Sequence, residues 1–137
     1  MQSGITMVYR DELDHYCSNF LNVQSFKDYC PNGLQIEGSM KIEKIVSGVS
    51  ANQELIEHAI EQEADAIFVH HGIFWDNESK TITGAKRTKV NLLLKHNINL
   101  FGFHLPLDDH CEVGNNIELG RRLGITNMRP VEGSLLW

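Results

Sequence analysis

A chain of 137 residues that is 42% hydrophobic and 22% charged has the balance of a globular protein with a real core. Its net charge of −6 argues against a nucleic-acid surface and leaves only the local basic cluster Lys86, Arg87 and Lys89. Cys17, Cys30 and Cys111 are odd in number, widely spaced and outside any C-x-x-C, which argues against a disulfide framework and points to a reducing compartment, the cytoplasm by elimination.

Met1–Val8 reads as a lead-in without the pattern of a signal peptide, and no run approaches membrane-spanning length. The spacing predicts a first helix over Tyr9–Asn22. There Leu13, Tyr16, Cys17, Phe20 and Leu21 form one apolar stripe, with Cys17 as a small buried hydrophobe and His15 off the stripe. Pro31-Asn32-Gly33 is a turn signal, and the alternation Leu34-Gln35-Ile36-Glu37 predicts a short edge strand after it. A strand over Ile45–Val49 follows. Ser50, three residues before Gln53, is expected to cap a helix that runs to Glu63 and buries Leu55, Ile56, Ala59 and Ile60.

Ala66-Ile67-Phe68-Val69 is a short apolar run, the mark of a strand buried on both faces in a parallel sheet. It hands over to His70, His71 and Gly72. Ile45–His71 is therefore a β-α-β unit with a right-handed crossover. Gly72–Gly84 is a loop carrying Phe74 and Trp75, read either as a lid or subunit contact or as packing over a sheet edge. A helix over Lys86–Asn97 is expected to bury Val90, Leu93 and Leu94 and to end at Asn97. A strand over Ile98–Phe103 leads into His104-Leu105-Pro106-Leu107-Asp108-Asp109-His110, with Pro106 ending the ladder. Asn115 and Glu118 have capping-box spacing for a helix over Asn116–Leu123, closed by Gly124. Ile125–Val131 is a candidate last strand, and the sequence closes on the apolar Leu135-Leu136-Trp137. The order of elements is that of an α/β domain spanning residues 1–137, with a mainly parallel sheet and helices on its faces.

The chemistry gathers where two consecutive strands end on the same side of the sheet, which is where open α/β sheets bind ligands. His70, His71, His104 and Asp108 stand there, with Asp109 and His110 as weaker surface candidates. Donors converging from separate strand ends are what a metal site requires. If His70 and His71 are both ligands, the strand must twist or end there, which Gly72 permits, and two diverging imidazoles suit two ions better than one. Imidazole plus carboxylate suits zinc, iron, manganese or nickel without choosing among them. His104 reads as a ligand, a proton shuttle or a group that orients Asp108. The plainer alternatives are hydrogen-bonded core histidines and Asp108 as a turn or cap residue. His58 and His96 lie on helices away from the strand ends and are expected in solvent.

Four blocks carry a resemblance: Tyr29–Gly38 (YCPNGLQIEG), Ala64–Trp75 (ADAIFVHHGIFW), Asn97–Asp108 (NINLFGFHLPLD) and Gly114–Ile125 (GNNIELGRRLGI). In order and spacing they resemble the GTP cyclohydrolase I type 2 homologue family, the dinuclear-metal proteins also called Nif-three-like. The resemblance implies metal ligands at His70, His71 and Asp108, with His104 beside the metals as a candidate proton carrier. It implies a fold of two related α/β halves, of which this sequence matches the first, and assembly into a toroidal homohexamer with metals facing an inner cavity. The family's further ligands, a His and a Glu four residues on, belong to the second half and have no match here. The implied activity is metal-dependent hydrolysis of GTP-cyclohydrolase type at a purine nucleotide. The alternatives are a non-enzymatic metal-binding or ring-scaffold protein that handles a partner such as DNA, and an inactive half that needs another chain.

Overall fold

A computed structural model describes residues 7–135 and 137. The elements are β1 (Val8–Tyr9), α1 (Arg10–Phe20), β2 (Gly33–Ile36), β3 (Lys41–Ile42), β4 (Ile45–Ser50), α2 (Gln53–Glu61), β5 (Ala66–His71), α3 (Gly84–Lys95), β6 (Asn99–Gly102), α4 (Leu105–Asp109) and α5 (Asn115–Arg122). The main sheet has the order β2-β6-β5-β4. β4, β5 and β6 are parallel, and β2 closes one edge antiparallel to β6. This is the expected mainly parallel α/β arrangement with β2 as an edge strand. The lead-in is partly structured: Val8 and Tyr9 pair with Ile42 and Lys41, while residues 1–6 lie outside the described residues.

Two apolar layers sandwich the sheet. Beneath α2 and α3, Ile56, Ala59, Ile67, Val90, Leu93, Ile98 and Leu100 pack into one core. On the α1 side Leu21, Ile42, Ala66, Phe101 and Phe103 form the other. Strands buried on both faces explain why Ala66–Val69 and Leu100–Gly102 read as apolar runs rather than alternating ones. The α1 layer is the thinner of the two. Tyr16 is 65% exposed and Phe20 41%, so the outer half of the predicted stripe faces solvent rather than the core. On α3, Val90 and Leu93 are buried as expected, but Leu94 is exposed, and Leu92 meets the core instead.

Several helix and strand ends differ from expectation for identifiable reasons. Asn52, not Ser50, caps α2: its side chain accepts from the Leu55 N–H at 2.8 Å. Ser50 remains in β4, where its hydroxyl meets His71. Gly114 occupies the cap position of α5, and Asn115 lies inside the helix with its amide turned to Asp108. Pro106 sits in the first turn of α4, where its missing N–H costs nothing, so the ladder ends because the chain turns into a helix. Ile125–Val131 forms no strand. Asn97 does end α3, with a left-handed φ of 57°.

The Gly72–Thr83 segment packs rather than dangling. Ile73 is buried, Phe74 lies against the α2–α3 core, and the Asp76 N–H donates to the Tyr29 carbonyl at 2.9 Å. Lys86 reaches back to the Ser79 carbonyl and Glu78, so the basic cluster is partly committed to holding this segment. Gly72 serves a close approach, not a turn: the Gln35 side chain lies where a Cβ would stand and bonds the Ile73 N–H at 3.0 Å. Among the described residues no helix is long and apolar enough to cross a membrane.

Candidate metal centre

β5 does not stop before its histidines; both His70 and His71 belong to the strand. Their ring centroids are nevertheless only 4.6 Å apart. β6 ends at Gly102 opposite Val69, two residues short of the end of β5, and the chain turns through Phe103 and His104 into α4, which carries Asp108. His104 lies with its ring 4.8 Å from His70 and 5.7 Å from His71. One ligand nitrogen from each of the three rings falls within 4.8 Å of the other two.

Each imidazole is held by its Nδ1. His70 Nδ1 is 3.0 Å from the Phe103 carbonyl. A carbonyl only accepts, so Nδ1 carries the proton and Nε2 keeps its lone pair in the neutral ring. That Nε2 faces Asp108 Oδ1 at 3.4 Å. Two acceptors facing one another at this distance call for a proton or a cation between them. His71 Nδ1 is 2.9 Å from the Ser50 hydroxyl. Burial, together with the neighbouring His70 and His104, pushes the His71 imidazole below its ordinary pKa against the pull of Asp108. The ring is therefore biased to the neutral form that ligates metal. His104, 7% exposed, places Nδ1 3.0 and 3.3 Å from the two oxygens of Asp28. Among the described residues, nothing hydrogen-bonds Nε2 of His71 or His104.

The surroundings shape access. Trp75 and Tyr29 meet the His104 ring edge-on, with centroids 5.2 and 5.1 Å away. His70 also borders an open apolar groove of about 490 Å³ lined by Tyr16, Phe20, Val49, Phe68 and Phe103. Asp108 is fixed by the Asn115 amide at 2.8 Å.

Of the residues singled out from sequence, His70, His71, His104 and Asp108 come together. Asp109 and His110 do not. Asp109 accepts from the Trp137 indole N–H at 3.0 Å. His110 bridges the Phe20 carbonyl to the N–H groups of Glu112 and Val113, as a structural histidine. His58 and His96 are exposed, as expected. Sequence reasoning missed Asp28 and misread Ser50. Nothing local marks Asp28, which lies 76 residues from the histidine it holds. Ser50 carries a cap signal that its place at the end of β4 overrides.

The Duf34/NIF3 (NGG1p interacting factor 3) family model matches residues 8–134. The chain belongs to this family. It is 48% identical over 124 residues to the GTP cyclohydrolase 1 type 2 homolog of Yersinia pestis, covering 90% of this chain and 50% of that protein. It is 50% identical over 121 residues to the protein of that name from Pasteurella multocida, covering 88% and 48%. Among solved structures it is similar to TTHA1606 from Thermus thermophilus, with a TM-score of 0.86 at 40% identity over 91% of this chain and 52% of that one. The chain thus spans about half the length of the curated NIF3 relatives it matches.

Proposed function

We propose that this chain binds divalent metal and supplies one half of the site of a metal-dependent hydrolase, with the GTP-cyclohydrolase type of chemistry that its relatives' names suggest. The observation that carries the reading is the pairing of His70 Nε2 with Asp108 Oδ1, two acceptors aimed at one another while Nδ1 is held by a carbonyl. A divalent cation between them satisfies both acceptors, and a proton on His70 Nε2 is the metal-free alternative that the metal titration below separates. His70, His71 and Asp108 would hold the metal, and imidazole plus carboxylate fits zinc, iron, manganese or nickel. When bound, such ions supply Lewis acidity and an activated water.

The chain's own residues do the rest. The Phe103 carbonyl and the Ser50 hydroxyl orient the His70 and His71 rings so that Nε2 of each is left for a ligand. Asn115 holds Asp108 in place. His104, with Nδ1 engaged and Nε2 free, takes and returns a proton at Nε2. Tyr29 and Trp75 shield that ring from bulk water on their side. The three cysteines are free, in keeping with the cytoplasm as the proposed compartment.

The test is elemental analysis of the purified 137-residue chain together with its native mass and its turnover of GTP. The expected result is divalent metal near stoichiometry, lost together with turnover in His70→Ala. A chain that purifies without metal and takes up none on titration ends the reading. A metal-loaded chain with no turnover, whose oligomer survives His70→Ala, leaves a binding or scaffold protein.

A further inference from the structure

We propose that Asp28 is the positioning residue for His104, fixing that ring as the Nδ1–H tautomer so that its Nε2 lone pair stays available. The Asp28 side chain is 4% exposed, yet no Lys or Arg is paired with it among the described residues. What surrounds it is a shell of donors. Oδ1 accepts from the Tyr29 N–H at 2.8 Å, and Oδ2 accepts from the Asn32 amide at 2.9 Å and the Leu105 N–H at 3.0 Å. The Cys30 thiol lies 3.6 Å from Oδ1. Burial, with the charge and hydrogen bond of Asp28 behind it, pushes that thiol up to about 12, so it remains an S–H donor. His104 Nδ1 completes the set at 3.0 Å.

A carboxylate so surrounded is acceptor-only. Burial by itself would raise its pKa, but the hydrogen bonds from Asn32, His104, Leu105 and Tyr29 prevail and hold it below the ordinary value. The ring nitrogen that faces an acceptor-only group must carry the proton, and in a neutral imidazole the other nitrogen then has none. The ring has little freedom to choose otherwise. Its own backbone is tied down, since the His104 N–H donates to Asn32 Oδ1 at 2.7 Å, and the Tyr29 and Trp75 rings flank it. Asp28 and Asn32 come from the turn before β2, so this turn sets a nitrogen at the end of β6 across the sheet edge.

The consequence for catalysis rests on the reading of His104 as proton carrier, but the tautomer itself does not. It is measured on the metal-free chain by long-range ¹⁵N–¹H correlation of the imidazoles at a pH where they are neutral. The expected spectrum shows His104 with a protonated Nδ1 and an unprotonated Nε2. Asp28→Asn places an amide NH₂ among donors, and its expected effect is to move His104 Nε2 towards the protonated shift range. His70, whose Nδ1 donates to the Phe103 carbonyl, should keep its pattern and serves as the internal control. A wild-type His104 carrying its proton on Nε2 overturns the proposal, whether or not the variant folds. A folded Asp28→Asn chain with an unchanged His104 spectrum overturns it as well. A chain that never binds metal but shows the expected tautomers sinks the hydrolase reading and leaves this one standing.

Discussion

At the amino ends of β5 and β6, the Asn99 amide and the Asp65 carboxylate are directed at the chain's own backbone, whereas at the carboxyl ends His71 and His104 each keep an Nε2 without a partner among the described residues and His70 Nε2 meets only the acceptor Asp108. Asn99 is fully buried, and its amide is complete: Oδ1 accepts from the Gly38 N–H at 2.8 Å, and Nδ2 donates to the carbonyls of Ser39 at 2.8 Å and Asp65 at 3.0 Å. Asp65 accepts from the N–H groups of Glu43 and Lys44 at 2.8 and 3.0 Å. That network ties the β2–β3 and β3–β4 connections to the sheet, and it leaves nothing for a ligand. The histidine end has equally good supports in Phe103, Ser50 and Asp28, but they engage only Nδ1. The chain holds the polar groups at both ends, but only the histidines stop short of completion. That contrast, rather than the mere presence of histidine, makes the carboxyl end the candidate site.

The contrast predicts separable losses. The largest expected effect is His70→Ala, which should reduce metal affinity by about 100-fold or more by removing a proposed ligand, yet alter the unfolding free energy of the metal-free chain by only about 1 kcal/mol, the worth of its bond to Phe103. Titration calorimetry and denaturant melts check the two halves. Asn99→Leu should do the reverse. It strands the Gly38 N–H and the Ser39 and Asp65 carbonyls, costing about 3 kcal/mol of stability while metal content per folded molecule holds. If Asn99→Leu stripped the metal from a chain that still folded, the two ends would not be independent. Ser50→Ala comes next. It frees His71 Nδ1, and metal affinity should fall about tenfold with little change in the melt.

The smallest effect is in acid. The Asp28 carboxyl is held below its ordinary value of 3.8 in the folded chain, so its share of stability is present above that value and is lost as pH falls through the lower folded value. Thermal melts between about pH 5 and pH 3 should therefore decline less steeply in Asp28→Asn than in the wild-type chain. Equal slopes would mean that Asp28 is not held as an ionised acceptor.

The lines of the fold that can be read from the sequence are those set by short-range pattern. Ala66–Val69 is apolar because both faces of β5 are covered, and Asn97 ends α3 because it accepts a left-handed φ. The turn at Pro31-Asn32-Gly33 and the edge strand after it follow from local chemistry too. Local chemistry also misleads. Ser50 and Asn115 each carry a cap spacing, yet each side chain is taken by a partner outside its own cap, His71 and Asp108 respectively. Tyr16 and Phe20 match a helical stripe wider than the face that α1 presents to the sheet. Asn99, a lone amide in an apolar strand, is a visible signal of a buried polar network, but its partners at Gly38, Ser39 and Asp65 are not local to it.

Sequence alone determined the parallel α/β pattern and put His70, His71, His104 and Asp108 at neighbouring strand ends, because periodicity and strand order act over a few residues at a time. Which nitrogen of each ring is free was decided only by the tertiary structure. A proton's position depends on what faces it: the acceptors Asp28 and Phe103 reach His104 and His70 across 76 and 33 residues of chain, and Ser50 engages His71 Nδ1 across 21.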